Sequence, residues 1–248
     1  LLLNGRMAWN VVTSLNDSDA DNFGATKHLG HDLRYDRADE FMEVVLGHWD
    51  SWEEDAILFD RENGVFADPA KVHRLDHKGK FFTSRGPFTV PRSPQGRPII
   101  IQAGQSGRGK TFATRWGELL FVIYPNLTVA KRQYAEIKQS LTDQGKDISI
   151  APAIYPIVAE TQSEAEDRFA EIDQLAKPID TLALLSEVLN YDFATKAMDE
   201  PFSPEELAAI SGLQAVRDRV VHLSGKPNPT VRDFVQFSGR ATLREFPN

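Results

Sequence analysis

Cysteine is absent from all 248 residues, which excludes disulfides, thiolate metal sites and a cysteine nucleophile. No apolar run approaches the roughly 20 residues that a membrane-spanning helix needs. No signal peptide is evident either, so the chain is expected to be cytoplasmic and without membrane attachment. Positive charge is not in excess: 28 Lys and Arg stand against 36 Asp and Glu, a net charge of −8. That balance argues against a broad nucleic-acid-binding face. Internal repeats and low-complexity tracts are also missing. The first residue is Leu1 rather than methionine, residues 1–6 read like the tail of a helix and its turn, and residues 245–248 form no closing element. The expectation is a segment of a longer chain.

What is present is an ordinary globular composition, 41% hydrophobic and 26% charged, in a length that can bury a substantial core. The most informative stretch is residues 98–111, PIIIQAGQSGRGKT. Ile99, Ile100 and Ile101 make a short buried strand that breaks at Gly104, Gly107 and Gly109 before helix-compatible sequence. A strand, a glycine-rich turn and a helix start together hold phosphate well. Glycine permits close backbone approach, and the first helical N–H groups lack partners. Residues 104–111 also fit Gly-x4-Gly-Lys-Ser/Thr, the loop of nucleotide triphosphatases. That second reading requires Lys110 on phosphate, Thr111 on Mg2+ and an acid ending a neighbouring strand. The apolar run 119–123 ends in Tyr124 and Pro125 instead.

Along the chain, residues 8–13 are apolar and β-branched, as in a buried strand, and residues 14–30 read as a long polar loop. Ala38, Phe41, Met42, Val45, Leu46 and Trp49 recur at helical spacing, with Tyr35 at the edge of that face. Residues 50–97 are irregular, with a hairpin turn at 77–80 and prolines Pro87, Pro91 and Pro94, and read as an extended insertion. Strand 99–103, helix 106–116, strand 119–123, a helix from about Thr128 to Gly145 and strand 150–158 follow in alternation. A helix opening on the capping box Ser163-x-x-Glu166 comes next. Such alternation demands a parallel sheet, doubly wound or closed. Residues 179–247 hold helix starts at Ser203-Pro204 and Thr230 and no strand, and read as a helical insertion.

Several motifs together resemble one family. They are Trp9-Asn10-Val11-Val12-Thr13-Ser14, then His31-Asp32-x-Arg34-Tyr35-Asp36-Arg37-Ala38-x-Glu40-Phe41, then Arg85-Gly86-Pro87 through Pro91-Arg92-Ser93-Pro94-Gln95-Gly96-x-Pro98, and Gln102-Ala103-Gly104-x-Ser106-x-x-Gly109. Over residues 5–166 they are similar to the nitrilotriacetate and dibenzothiophene-sulfone type of flavin monooxygenase, within the bacterial-luciferase-like superfamily. The resemblance implies a (β/α)8 TIM barrel, here incomplete, with its early strands and last strand missing. It also implies FMN in reduced form (FMNH2), a separate flavin reductase that supplies it, O2 as co-substrate, a small-molecule substrate and a homo-oligomer. Lys110 and Thr111 are then incidental. An inactive truncated segment is the other alternative, because an open barrel exposes strand edges.

The resemblance assigns the cofactor phosphate to Ser106 and Gly104, against the plainer reading of a glycine turn that only connects strand to helix. It places His31 and Tyr35, four residues apart, on the ribityl–phosphate portion; the plainer reading is a surface histidine and a core tyrosine packing on Phe41. Asn10 is odd in an apolar strand, since a buried amide needs partners. Either it bonds a neighbouring strand, or it points into a barrel and reaches the cofactor. Arg34 and Arg37 among Asp32, Asp36 and Asp39 read as a salt-bridged surface. His73 and His77 lack the acid–histidine set of a metal site. No catalytic acid or base is singled out.

Overall fold

The computed structural model describes residues 3–14, 16–25, 28–104, 107–124, 126–175 and 177–238. In chain order the elements are β1 (Ala8–Asn10), α1 (Asp17–Asn22), α2 (His31–Trp49), β2 (Ile57–Asp60), β3 (Val65–Ala67), β4 (His77–Lys78), β5 (Thr83–Ser84), β6 (Ile99–Gln102), α3 (Gly107–Trp116), β7 (Leu119–Val122) and α4 (Leu127–Asp143). They continue with β8 (Ser149–Pro152), α5 (Gln162–Leu175), α6 (Pro178–Leu189), α7 (Pro204–Ala209), α8 (Gln214–Ser224) and α9 (Val231–Phe237). Two compact units result, one of Leu1–Thr13, Leu29–Val122 and Glu136–Ala151, the other of Ser14–His28, Ile123–Ala135 and Pro152–Asn248.

The first unit is built on a four-stranded sheet of order β1-β6-β7-β8. The pairs β1–β6 and β6–β7 are parallel, with Trp9 opposite Ile100 and Gln102 opposite Leu120. Strand order follows chain order with no reversal, so the sheet is wound one way, as in a barrel, and not doubly wound about a switch point. Alternation gives the sheet two faces. Trp9, Ile100, Leu120 and Val122 lie on one, where Val11, Tyr35, Met42, Ile100 and Phe112 form a core joined by Trp9, Ala38, Leu46, Trp49 and Trp116. Met42 and Phe112 are fully buried, each burial contributing about 1.5–3 kcal/mol. Asn10, Ile99, Ile101, Leu119 and Phe121 lie on the other face, where Asn10, Ile99 and Phe121 are exposed.

Helices α2 and α3 are tied by an acidic row on the former. Arg108 bonds Asp36 at 2.9 Å and Asp39 at 2.6 Å, Arg115 bonds Glu43 at 2.7 Å, and the Trp116 indole N–H donates to Asp39 at 2.6 Å. The Arg108 hydrogen bonds to Asp36 and then Asp39 hold its proton more firmly than usual. Of the acids expected in that salt-bridged surface, Asp36 and Asp39 thus bond α3 and Asp32 meets His31, while Arg37 lies 5.0 Å from the Phe82 ring centroid.

Several expectations need correction. The run 8–13 is strand only over three residues, and the polar stretch 14–30 contains the short α1. The irregular region holds two antiparallel hairpins, β2–β3 as well as the expected β4–β5. Strand 150–158 stops at Pro152, whose ring removes a ladder donor. The box at α5 lies two residues earlier than expected: Thr161 Oγ1 accepts from the Glu164 N–H, and Glu164 takes the Glu160 N–H. His73 and His77 turn to separate acids, Glu53 at 2.6 Å and Glu40 at 3.2 Å.

In the second unit, helices α6–α9 close around Leu185, Leu189, Phe193, Phe202, Ile210, Val220 and Phe234. Reciprocal capping boxes, Ser203 with Glu206 and Thr230 with Asp233, start α7 and α9. Left-handed Asn190 and Gly225 end α6 and α8.

Candidate functional site

The site is assembled where β6 ends. Gln102, its last residue, is 3% exposed. Its side-chain N–H donates to the Val11 carbonyl at 3.1 Å, and its carbonyl accepts from the Gly104 N–H. A buried amide in an apolar strand thus has a partner at its nitrogen and at its oxygen, as burial requires. Gly104 itself lies outside the left-handed region, so glycine is there for space. A methyl group on it would stand 2.8 Å from the Tyr35 hydroxyl, 2.8 Å from Gln102 Oε1 and 3.1 Å from Gly109 Cα.

Tyr35 comes to this point from the second turn of α2. Its ring is held in the core, 5.6 Å from Phe112 and 5.1 Å edge-on from His31. The Arg108 guanidinium lies 5.8 Å from the same ring. Among the described residues the Tyr35 hydroxyl makes no hydrogen bond. His31 opens α2, with Nδ1 2.7 Å from the Asp32 carboxylate, and Gly30 before it supplies no side-chain cap.

The structure thus brings Gly104, Tyr35 and His31 into one continuous group. Tyr35 packs on Phe112 and His31, while Phe41 turns to Trp9 and Phe82. Ser106 lies outside the described residues. Asn10 departs from expectation: the amide is exposed, not buried, and makes no hydrogen bond among the described residues. The period of two puts it on the sheet face opposite Trp9, hence opposite Tyr35. Two contributors were not foreseen. Gln102 stood in the quoted motif but was given no role, and Arg108 gave no spacing signal, because its partners lie some 70 residues earlier on another helix.

Lys110 and Thr111 occupy a different flank of α3. They line a cleft of about 330 Å3 with Thr114, Arg115, Ser140, Gln144 and Lys146, and the Thr111 hydroxyl donates to the Gly107 carbonyl at 3.2 Å. Gly104 and Tyr35 are not part of that cleft. The triphosphate-loop reading fails on this geometry. Among the described residues no group of three or more His, Asp or Glu is arranged for a metal, and no helix is long and apolar enough to cross a membrane.

A one-way parallel sheet with its glycine turn at a strand's carboxyl end defines a TIM-barrel type of protein. Comparison with known proteins makes this specific. The profile of the family described as "luciferase-like monooxygenase" matches residues 1–227. The chain is 48% identical over 203 residues to dibenzothiophene-sulfone monooxygenase of Rhodococcus erythropolis, an alignment covering 81% of this chain and 45% of that protein. The crystal structure of DmoA from Hyphomicrobium sulfonivorans superposes with a TM-score of 0.76 at 36% identity, over 99% of this chain and 52% of that one. Riboflavin lyase, solved with modified FMN and riboflavin, gives 0.75 at 32% identity, over 94% and 51%. The chain belongs to the luciferase-like monooxygenase family and has its TIM-barrel fold. It spans about half the length of these relatives.

Proposed function

We propose that this chain carries the phosphate-side half of the flavin site in a two-component monooxygenase. That enzyme would use FMNH2 from a separate reductase and insert one oxygen atom of O2 into a small organic substrate. The observation that carries the reading is the Tyr35 hydroxyl, without a hydrogen bond among the described residues, at the edge of the space kept open by Gly104, with the His31 ring edge-on against Tyr35. This donor set suits a phosphate monoester: a phenol O–H, an imidazole nitrogen and a side-chain-free backbone, with the Ser106 hydroxyl added by sequence. Reduced FMN, when bound, supplies the electrons that activate O2.

The chain's own residues bind and orient. Tyr35 donates to a phosphate oxygen, Ser106 does the same from the turn, and His31 closes over the ribityl–phosphate portion. Asn10, on the opposite sheet face, faces the interior that a closed barrel encloses, where its amide meets the ring end of the cofactor. Phe121 and Ile101 share that face and exclude water there. Residues 50–97 and 179–247 are insertions into the barrel. The reading also places the protein in the cytoplasm, beside its reductase and paired with a second copy of itself.

Thermal protection by oxidised FMN tests the proposal. Free FMN one hundred times above Kd stabilises by about 2.7 kcal/mol, which wild type shows as a raised Tm. Ser106→Ala and Tyr35→Phe each weaken FMN binding by roughly 10- to 100-fold, the range of a hydrogen bond to a charged group. Wild type that FMN does not protect, or variants protected equally with it, overturn the assignment.

A further inference from the structure

Gln102 meets a demand that packing alone does not create. Its face of the sheet is occupied by Ile100, Leu120 and Val122, all buried. An apolar side chain of similar volume would fill the place without any polar group to satisfy. Its two polar ends instead join separate parts of the backbone. Nε2 donates to the Val11 carbonyl, just past β1, and Oε1 accepts from the Gly104 N–H, two residues past the end of β6. The same Oε1, the Tyr35 hydroxyl and Gly109 Cα bound the space that a side chain at Gly104 would fill.

We infer that Gln102 is a positioning residue for the cofactor phosphate, an inference that rests on the flavin reading above. Its carbonyl fixes the Gly104 peptide plane, and its amide N–H anchors that plane to the end of β1. Both strand ends and Gly104 thereby hold one geometry before any ligand arrives. A specific consequence is that the Gly104 N–H is already taken by Gln102. Gly104 serves the anion by the space it leaves, and the hydrogen bonds to phosphate come from Tyr35 and Ser106.

Gln102→Met keeps the length and removes both hydrogen bonds. The test measures, in the full chain, dissociation constants for oxidised FMN and for riboflavin, which lacks the phosphate. Tm and the kcat and KM for reduced FMN are recorded alongside. Wild type is expected to prefer FMN. In the variant FMN affinity falls about tenfold, as for one to two neutral hydrogen bonds, while riboflavin affinity stays within about twofold. KM rises more than kcat falls, and Gln102→Glu, which accepts but does not donate, fails to restore the preference. A residue that only stabilises the sheet lowers Tm and moves both ligands together, and that outcome overturns the inference. Should Gln102→Met not fold, amide hydrogen exchange in wild type decides. A protected Gly104 N–H without ligand supports the inference, and free exchange overturns it. A wild type with no preference for FMN over riboflavin overturns the phosphate reading and this inference with it. A preference kept intact in Gln102→Met overturns the inference alone.

Discussion

At Gly104 a single hydrogen in place of a methyl group keeps the site open. Gly104→Ala puts a carbon 2.8 Å from both the Tyr35 hydroxyl and Gln102 Oε1, closer than such atoms approach without displacement. Gly107→Ala, three residues on, meets nothing within 4 Å and trades glycine for a better helix former. FMN titrations should therefore show more than about tenfold loss for Gly104→Ala and near wild-type affinity for Gly107→Ala; equal affinities would show that the space at Gly104 is not used. Much of this was readable beforehand. Gly104 and Tyr35 stand in motifs, and four-residue spacing puts His31 beside Tyr35. The burial expected of Asn10 was wrong because one apolar strand does not reveal which of its faces a sheet covers. The Gln102 bond to Val11 and the Arg108 bonds to Asp36 and Asp39 reach partners far along the chain, and no local pattern records such pairings.

Among the elements, the β4–β5 hairpin depends on α2 through one carboxylate. Glu40 accepts from the N–H groups of Phe81, at 2.9 Å, and Phe82, at 2.7 Å, and pairs with His77. Gly79 leaves room for it, since a methyl there would collide with Glu40 Oε1. Desolvation pushes the Glu40 carboxyl up, but the Phe81 N–H, His77 and the Phe82 N–H together hold it below its ordinary 4.5. A carboxyl lowered on folding contributes fully above the unfolded value and loses its contribution as pH falls through the folded one. Amide exchange corrected for intrinsic rates should thus show Phe81 and Phe82 protected near neutrality, losing that protection only as pH falls beneath the ordinary carboxyl value to the lowered folded one, and deprotected at every pH in Glu40→Ala. Protection that survives the substitution would disprove the latch. Sequence placed a hairpin here but read His77 and Lys78 as part of its turn, where the structure makes them strand β4, and it passed over β2–β3. Its strands are three and four residues long, and their apolar side chains, Leu58, Phe59 and Phe66, are exposed, so no alternation marks an inside.

For the molecule as a whole, the sheet face opposite the helices sets behaviour in solution. Val12 (65% exposed), Ile99 (45%) and Phe121 (39%) lie open there or just beyond it, and β1 and β8 are edges among the described residues. Exposed apolar surface beside open edges favours association. Sedimentation of the 248-residue chain should show concentration-dependent association and dye binding by exposed apolar surface, both reduced in Phe121→Glu; a monomer that binds no dye would contradict this. Parallel winding was legible from strand–helix alternation. The division of the chain into two units was not, because it depends on contacts between segments far apart in sequence.

The tryptophans also separate the two units. Trp9, Trp49, Trp52 and Trp116 are the chain's four, and all of them belong to the unit built on the sheet. Trp9 and Trp49 sit with ring centroids 5.7 Å apart. Intrinsic emission excited at the indole band therefore reports that unit's unfolding and is silent on the helices after residue 178. Ellipticity draws on helices of both units. Comparing the two signals in one denaturant titration reveals directly whether the halves melt as a single cooperative block or in succession.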